Sequence, residues 1–132
     1  MAKVKILEMD HIVLNVKDIE RSISFYTETL GLKGERLEEF RVGKVGFPSV
    51  RINEHTLIDL MQMEPDGAGG AKNLNHFCLV SESIDLGQLA EDLRTDGVVV
   101  VTEPASRWGA RGQATSIYIQ DPDENEIEIR CY

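Results

Sequence analysis

The chain has 132 residues, 42% of them apolar and 28% charged, which is the composition of a folded globular protein long enough to bury a core without disulfides. Acidic residues outnumber basic ones by 23 to 14, a formal net charge of −9, and the basic residues are scattered, which excludes a nucleic-acid or anionic-membrane binder. No apolar run approaches the roughly 18 residues of a membrane span, and the first residues lack the apolar core of a signal peptide, so a cytoplasmic protein is expected.

In chain order, Asp10-His11-Ile12-Val13-Leu14 has the β-branched alternation of a strand. A helix signal follows: Asp18 can cap it, Ile19, Ile23, Tyr26 and Leu30 form a stripe of helical period, and Gly31 ends it. Strands are expected near residues 35–42, 46–52 and 56–63, then a Gly-rich linker at about 64–73. Asn75-His76-Phe77-Cys78-Leu79 repeats the texture of the first strand. Asp85 with Gln88 resembles a capping box, Leu86, Leu89, Ala90 and Leu93 make the stripe, and Gly97 ends the helix. Three more strands are expected near 98–103, 113–120 and 126–131.

His11 and His76 stand 65 residues apart, and the helix-ending glycines Gly31 and Gly97 stand 66 apart. The pattern is therefore a β-α-β-β-β unit used twice. This predicts an α+β fold of two paired modules, about 6–63 and 74–132, in a single domain spanning 1–132. Strand parity then sorts the candidate chemistry. Ile12, Leu14 and Val16 should face the following helix, which leaves His11 and Asn15 on the opposite face. His76 shares a face with Cys78 and Val80, Asp59 is an isolated acid in the apolar run 57–61, and Glu128 alternates with Ile127 and Ile129. A single strand histidine is most often only a hydrogen-bonded polar residue. Two histidines and two carboxylates at equivalent places in a repeat instead point to a divalent ion such as Zn, Ni, Mn or Fe(II), with positions left open for a substrate.

The opening Asp10 to Tyr26, running into Leu30-Gly31, and the ending Ser116 to Glu128 resemble the vicinal oxygen chelate superfamily. That superfamily includes glyoxalase I, extradiol dioxygenases, methylmalonyl-CoA epimerase, and fosfomycin and bleomycin resistance proteins. The resemblance implies paired βαβββ modules curled into half-barrels, with a divalent metal on the concave sheet face. It also implies that His11, His76 and Glu128 are ligands. Asp59 occupies the place of a fourth ligand, commonly Glu in glyoxalase-type members, and could act directly, through water or as a base. Where the usual turn reads Asp-Pro-Asp-Gly-Asn, this chain has Glu124. Since glycine suits a positive φ there, either the turn differs or Asn125 takes the left-handed position.

Within that family the expected activity is a glyoxalase-like lyase or isomerase, in which Glu128 or Asp59 moves the proton. An Fe(II) extradiol dioxygenase is the alternative, because His11, His76 and Glu128 make a two-His-one-carboxylate set. It lacks the further histidine of the extradiol signature, whose positions hold Gly109, Ala110 and Arg111. A ligand-sequestering protein or thiol transferase of the same fold is the third class. Tyr118 fits the extradiol signature and also suits an ordinary strand aromatic. Arg107 and Arg111 lie in a segment, 107–112, expected to be a loop that could close on an anionic small-molecule substrate, and Asn15 shares the face of His11. His55 is expected in a hairpin turn, Cys78 and Cys131 as reduced strand residues, and a homodimer as the assembly that covers exposed sheet edges.

Overall fold

The computed structural model describes residues 4–63 and 72–132, so residues 64–71 of the expected linker lie outside the described residues. The elements are β1 (Ile6–Val16), α1 (Ile19–Ser24), a π-helical stretch Phe25–Thr29, β2 (Lys33–Glu35), α2 (Leu37–Arg41), β3 (Ser49–Asn53), β4 (Thr56–Gln62), β5 (Leu74–Ser81), α3 (Leu86–Thr95), β6 (Val100–Gly109), β7 (Gly112–Gln120) and β8 (Glu126–Cys131). The β-α-β-β-β order occurs twice and the fold is α+β, with α2 as an addition to the first pass. Two compact units are distinguished: the chain up to His11 together with His76–Tyr132, and Ile12–Asn75. Among the described residues no helix is long and apolar enough to cross a membrane.

In the first unit the strand order is β1-β5-β8-β7-β6. β8 lies parallel to β5 and antiparallel to β7, so Cys78 and Tyr118 flank Glu128, while Val80 and Ser116 flank Arg130. The period of two sends the alternate residues Ile117, Ile119, Ile127 and Ile129 to the other face, where they pack with Leu86, Leu89 and Ala90 of α3. Asp85 caps α3 by accepting from the Gln88 backbone N–H at 3.0 Å, and Gly97 ends it at φ 85°. The Gln88 side chain turns to Asp92 at 2.9 Å. Within the first unit, then, α3 covers one face and leaves Glu128 and Arg130 on the other.

In the second unit the order is β2-β3-β4-β1. Ile19 and Ile23 of α1 pack with Leu60, Ile58 and Val16, which puts Asp59 on the opposite side of β4. Asp18 caps α1 as expected, accepting from the Arg21 N–H at 3.1 Å. The predicted stripe breaks at Leu30, which is 55% exposed. Its N–H bonds back five residues to the Phe25 carbonyl at 3.1 Å, so the helix widens to a π turn and Leu30 leaves the apolar face.

Three expectations are corrected. The strand expected at 35–42 is only Lys33–Glu35, because Arg36 takes a left-handed φ of 60° and the chain enters α2. Leu37 and Phe40, three residues apart, then join the core cluster around Leu60, a burial that an extended chain would split between two faces. The segment 107–112 is no loop: β6 runs to Gly109 and β7 starts at Gly112, with Ala110-Arg111 as the turn. Register shifts between Val100 and Ala105 surround Pro104, whose missing N–H interrupts the ladder and hides the strand's continuity from its sequence. Finally, Glu124 itself takes the positive φ, at 66°. Asp121 holds that turn, with Oδ1 accepting from the backbone N–H groups of Asp123 and Asn125, each at 2.9 Å.

Candidate metal centre

Glu128 is 1% exposed and its neighbours converge on it. Its Oε1 lies 3.2 Å from Nε2 of His11 and 3.3 Å from Nε2 of His76, and it accepts the Tyr118 hydroxyl at 3.0 Å. One ligand atom from each of His11, His76 and Glu128 can be chosen so that all lie within 4.8 Å of one another. The strand register explains part of this. Tyr118 is the direct cross-strand partner of Glu128 on β7, where antiparallel neighbours on one face touch. The Tyr118 hydroxyl is also 3.2 Å from Nε2 of His76, and the His11 and His76 rings meet edge to face at 5.4 Å.

Each imidazole that is to bind a metal needs a nitrogen with a free lone pair, and the other nitrogen decides which one that is. For His11 the structure supplies the second partner: Nδ1 lies 2.7 Å from Oδ1 of Asp10. Asp10, fully buried, also accepts the Ala110 N–H at 2.8 Å and the Tyr132 hydroxyl. Burial alone would raise its pKa, but these donors win and hold it below the usual carboxylate range. Asp10 is therefore an anion that keeps Nδ1–H of His11 facing it and Nε2 facing Glu128.

The buried charges show what the cluster lacks. Asp10 and Glu128 contribute two negative charges, and Arg130, fully buried, contributes one positive charge. With neutral imidazoles one negative charge is left over, and burying it is costly. Without a metal, a proton fills the gap. Burial pushes His11 down, yet its bonds to Asp10, Cys78 and Glu128 outweigh that and raise its pKa to about 12. Glu128 is pulled the other way: burial raises it, but His11, His76 and Arg130 together hold it far below the usual range. A divalent cation would more than offset that negative charge, and the donor set of two imidazoles and one carboxylate fits a metal of that type. Cys78 is a poorer donor, since burial pushes its thiol up to about 12 and leaves it protonated.

The other expected site residues divide clearly. Tyr118 sits in the cluster, its phenol held in the neutral form by burial and by Glu128. The Arg107 guanidinium lies 5.0 Å from the centre of the Tyr118 ring and donates to the Ser116 carbonyl and hydroxyl at 2.8 and 3.0 Å. Arg111 is occupied elsewhere, paired with Glu8 at 2.8 Å and stacked 4.1 Å over Tyr132. In the second unit Asp59 is 1% exposed and accepts the Ser49 hydroxyl at 2.5 Å. Asn15 donates to the Lys72 carbonyl and accepts from Asn75, and it lines a cavity of about 550 Å³ with Lys17, Arg21 and Met63. His55 lies in the β3–β4 turn, where its N–H bonds to Asn53. Asp10, Tyr132 and Arg130 were not singled out from sequence. Arg130 has a readable signal, since it is two residues beyond Glu128 and so on the same face.

A family model for the Glyoxalase/Bleomycin resistance protein/Dioxygenase superfamily matches residues 8–129. A virulence protein of Salmonella typhimurium is 34% identical over 124 residues, covering 94% of this chain and 83% of that protein. A glyoxalase domain-containing protein of Mycosarcoma maydis is 30% identical over 132 aligned positions, covering 98% of this chain and 71% of its own. Among solved structures, an Mn(II)-bound glyoxalase from Novosphingobium aromaticivorans shares the fold with a TM-score of 0.71 at 19% identity, covering 98% of this chain and 40% of that one. The chain belongs to the Glyoxalase/Bleomycin resistance protein/Dioxygenase superfamily.

Proposed function

We propose that this chain is a metal-dependent lyase or isomerase of the glyoxalase type, which holds one divalent ion through His11, His76 and Glu128 and acts on a small substrate with adjacent oxygens. The observation that carries this reading is the convergence of the three donor residues within 4.8 Å, together with the Asp10 carboxylate behind His11. When bound, the ion supplies a Lewis acid that stabilises negative charge developing on a substrate oxygen.

The protein's own groups do the rest. Asp10 fixes the His11 ring so that Nε2 is the nitrogen turned toward Glu128 and His76. Tyr118 donates its hydroxyl to Oε1 of Glu128 at 3.0 Å and so orients that oxygen. Arg107, held over the Tyr118 ring, offers positive charge to an anionic part of the substrate. Asp59 is assigned the role of proton carrier, and the Ser49 hydroxyl, bonded to it at 2.5 Å, fixes its orientation. A lactoylglutathione lyase of Arabidopsis thaliana, 25% identical over 123 residues that make up 42% of its length, supports the choice of chemistry. Two unpaired cysteines suit a reducing compartment such as the cytoplasm.

The Tyr118 phenol beside His76 favours a second reading, an Fe(II) ring-cleaving oxygenase. One experiment separates them. Protein loaded in turn with Zn(II), Ni(II), Mn(II) and Fe(II) is incubated in deuterated water with the hemithioacetal of a 2-oxoaldehyde, and separately with a catechol under an oxygen electrode. Isomerisation of the hemithioacetal supports the lyase or isomerase reading. Oxygen uptake with the catechol, confined to Fe(II), replaces it with the oxygenase. Neither reaction, with tight metal binding retained, reduces the claim to a metal-binding protein.

A further inference from the structure

Arg130 has 0% exposure, and an unpaired guanidinium in such a place would be strongly destabilising. Its Nη1 donates to Oε2 of Glu128 at 2.9 Å. Its Nη2 donates to the Arg107 and Gly112 carbonyls at 2.8 and 3.0 Å, and Nη1 reaches the Trp108 carbonyl at 3.3 Å. These three carbonyls belong to the closed end of the β6–β7 hairpin, so rigid backbone sets where the guanidinium lies. Gly109 completes the clamp: a Cβ there would fall 2.5 Å from Cζ of Arg130, so the hairpin closes on the guanidinium only because that residue has no side chain.

The two oxygens of Glu128 consequently have different partners. Oε1 faces His11, His76 and Tyr118, while Oε2 is taken by a charge-assisted bond to Arg130. A carboxylate can hold a metal through one oxygen or both. We propose that Arg130 is a positioning residue that reserves Oε2 of Glu128, so that Glu128 holds a divalent ion through Oε1 alone and leaves one more coordination position for substrate. The inference rests on the metal-binding reading above and adds a coordination mode and the residue that sets it.

The test is infrared difference spectroscopy of the full chain with and without Zn(II), comparing the wild type, Arg130→Gln and Arg130→Lys, with Glu128→Gln to assign the bands. A carboxylate bound through one oxygen shows widely separated asymmetric and symmetric stretches, and one bound through both shows a narrow separation. The wild type should give the wide separation, Arg130→Gln should narrow it, and Arg130→Lys, which retains a charged donor, should restore it. A merely structural Arg130 would change stability without moving the separation. A narrow separation in the wild type, or an unchanged one in folded Arg130→Gln, overturns the inference while leaving the metal reading intact. If Arg130→Gln does not fold, Gly109→Ala, whose Cβ would push the guanidinium away, takes its place: a narrowed separation supports the inference and an unchanged one overturns it. Failure of the wild type to bind Zn(II) overturns both readings together.

Discussion

Asp10→Asn isolates the orienting carboxylate from the rest of the cluster. The His11 Nδ1 and the Ala110 N–H both address Oδ1 of Asp10, and the Tyr132 hydroxyl addresses Oδ2. An asparagine can therefore keep its carbonyl at the Oδ1 position and satisfy both nitrogen donors. Its amide then faces the Tyr132 oxygen, which can accept but loses the acceptor for its own proton. The folding cost should be that of one buried hydrogen bond to a charged group, about 1.5–3 kcal/mol. The effect on the site is of a different kind. Without the anion at Asp10, Arg130 and Glu128 balance each other, and His11 loses the carboxylate that does most to hold it up at about 12. Its pKa should fall, because a neutral carbonyl takes the place of the anion that accepts its Nδ1–H. Losing such a partner weakens metal binding by about 10–100-fold, or roughly 1.4–2.8 kcal/mol. Zn(II) affinity measured against a competing chelator gives the second number, and urea unfolding of the metal-free protein gives the first. Imidazole nitrogen shifts by NMR report the ring's protonation. A variant whose Zn(II) affinity and His11 shifts both match the wild type would refute the assignment of Asp10 as the anion that sets the protonation of His11.

Four further outcomes follow. In the metal-free protein, His11 is raised from 6.5 to about 12, so the stability it contributes is full below about pH 6.5 and is lost as pH climbs through 12. The urea midpoint should fall from pH 6.5 to pH 9, and less so with Zn(II) present; a flat profile contradicts this. Leu89→Ala, a 3% exposed residue of the α3 core on the face away from Glu128, should cost about 2–5 kcal/mol in urea unfolding while leaving Zn(II) stoichiometry unchanged. Asp59→Asn should abolish isomerisation of the hemithioacetal but keep the metal, as measured by elemental analysis, and retained turnover would remove Asp59 from the mechanism. The chain should run as a homodimer in light scattering at micromolar concentration, through an apolar, salt-insensitive contact to which exposed Leu7, Val99 and Val101 are suited, whereas a monomer ends that expectation.

Where a feature was legible in the sequence, a local rule and a tertiary demand agreed. Asp85, the stripe Leu86–Leu89–Ala90 and Gly97 all describe one helix, and the packing of its apolar side asks for the same helix. Where they disagreed, the prediction failed. A strand over 35–42 would send Leu37 and Phe40 to opposite faces, whereas the core around Leu60 takes both, and the chain enters the helix that aligns them at a single left-handed residue, Arg36. Similarly, the stripe from Ile19 to Leu30 has an unbroken helical period, yet one hydrogen bond of the wrong length removes its last member from the core. Neither Arg36 nor Phe25 carries a residue type that announces this.

The site divides along a related line. Parity and repeat spacing point to His11, His76, Asp59 and Glu128, each on a regular strand where side-chain direction follows from position, and the three of these in the first unit meet in one cluster. Asp10 could not, since the same parity rule sends neighbours to opposite faces and argues against contact with His11. That contact exists because Asp10 is fixed from elsewhere, by the Ala110 N–H and the Tyr132 hydroxyl, which lie 100 and 122 positions along the chain. Arg130 is also held by distant backbone, the end of a hairpin whose first strand was predicted too short. The donor residues of this cluster are thus specified locally, and the groups that give them their protonation, orientation and charge are specified by closure of the fold. Substitutions at Asp10, Tyr132 or Arg130 should accordingly alter how a metal is held while leaving His11, His76 and Glu128 in place.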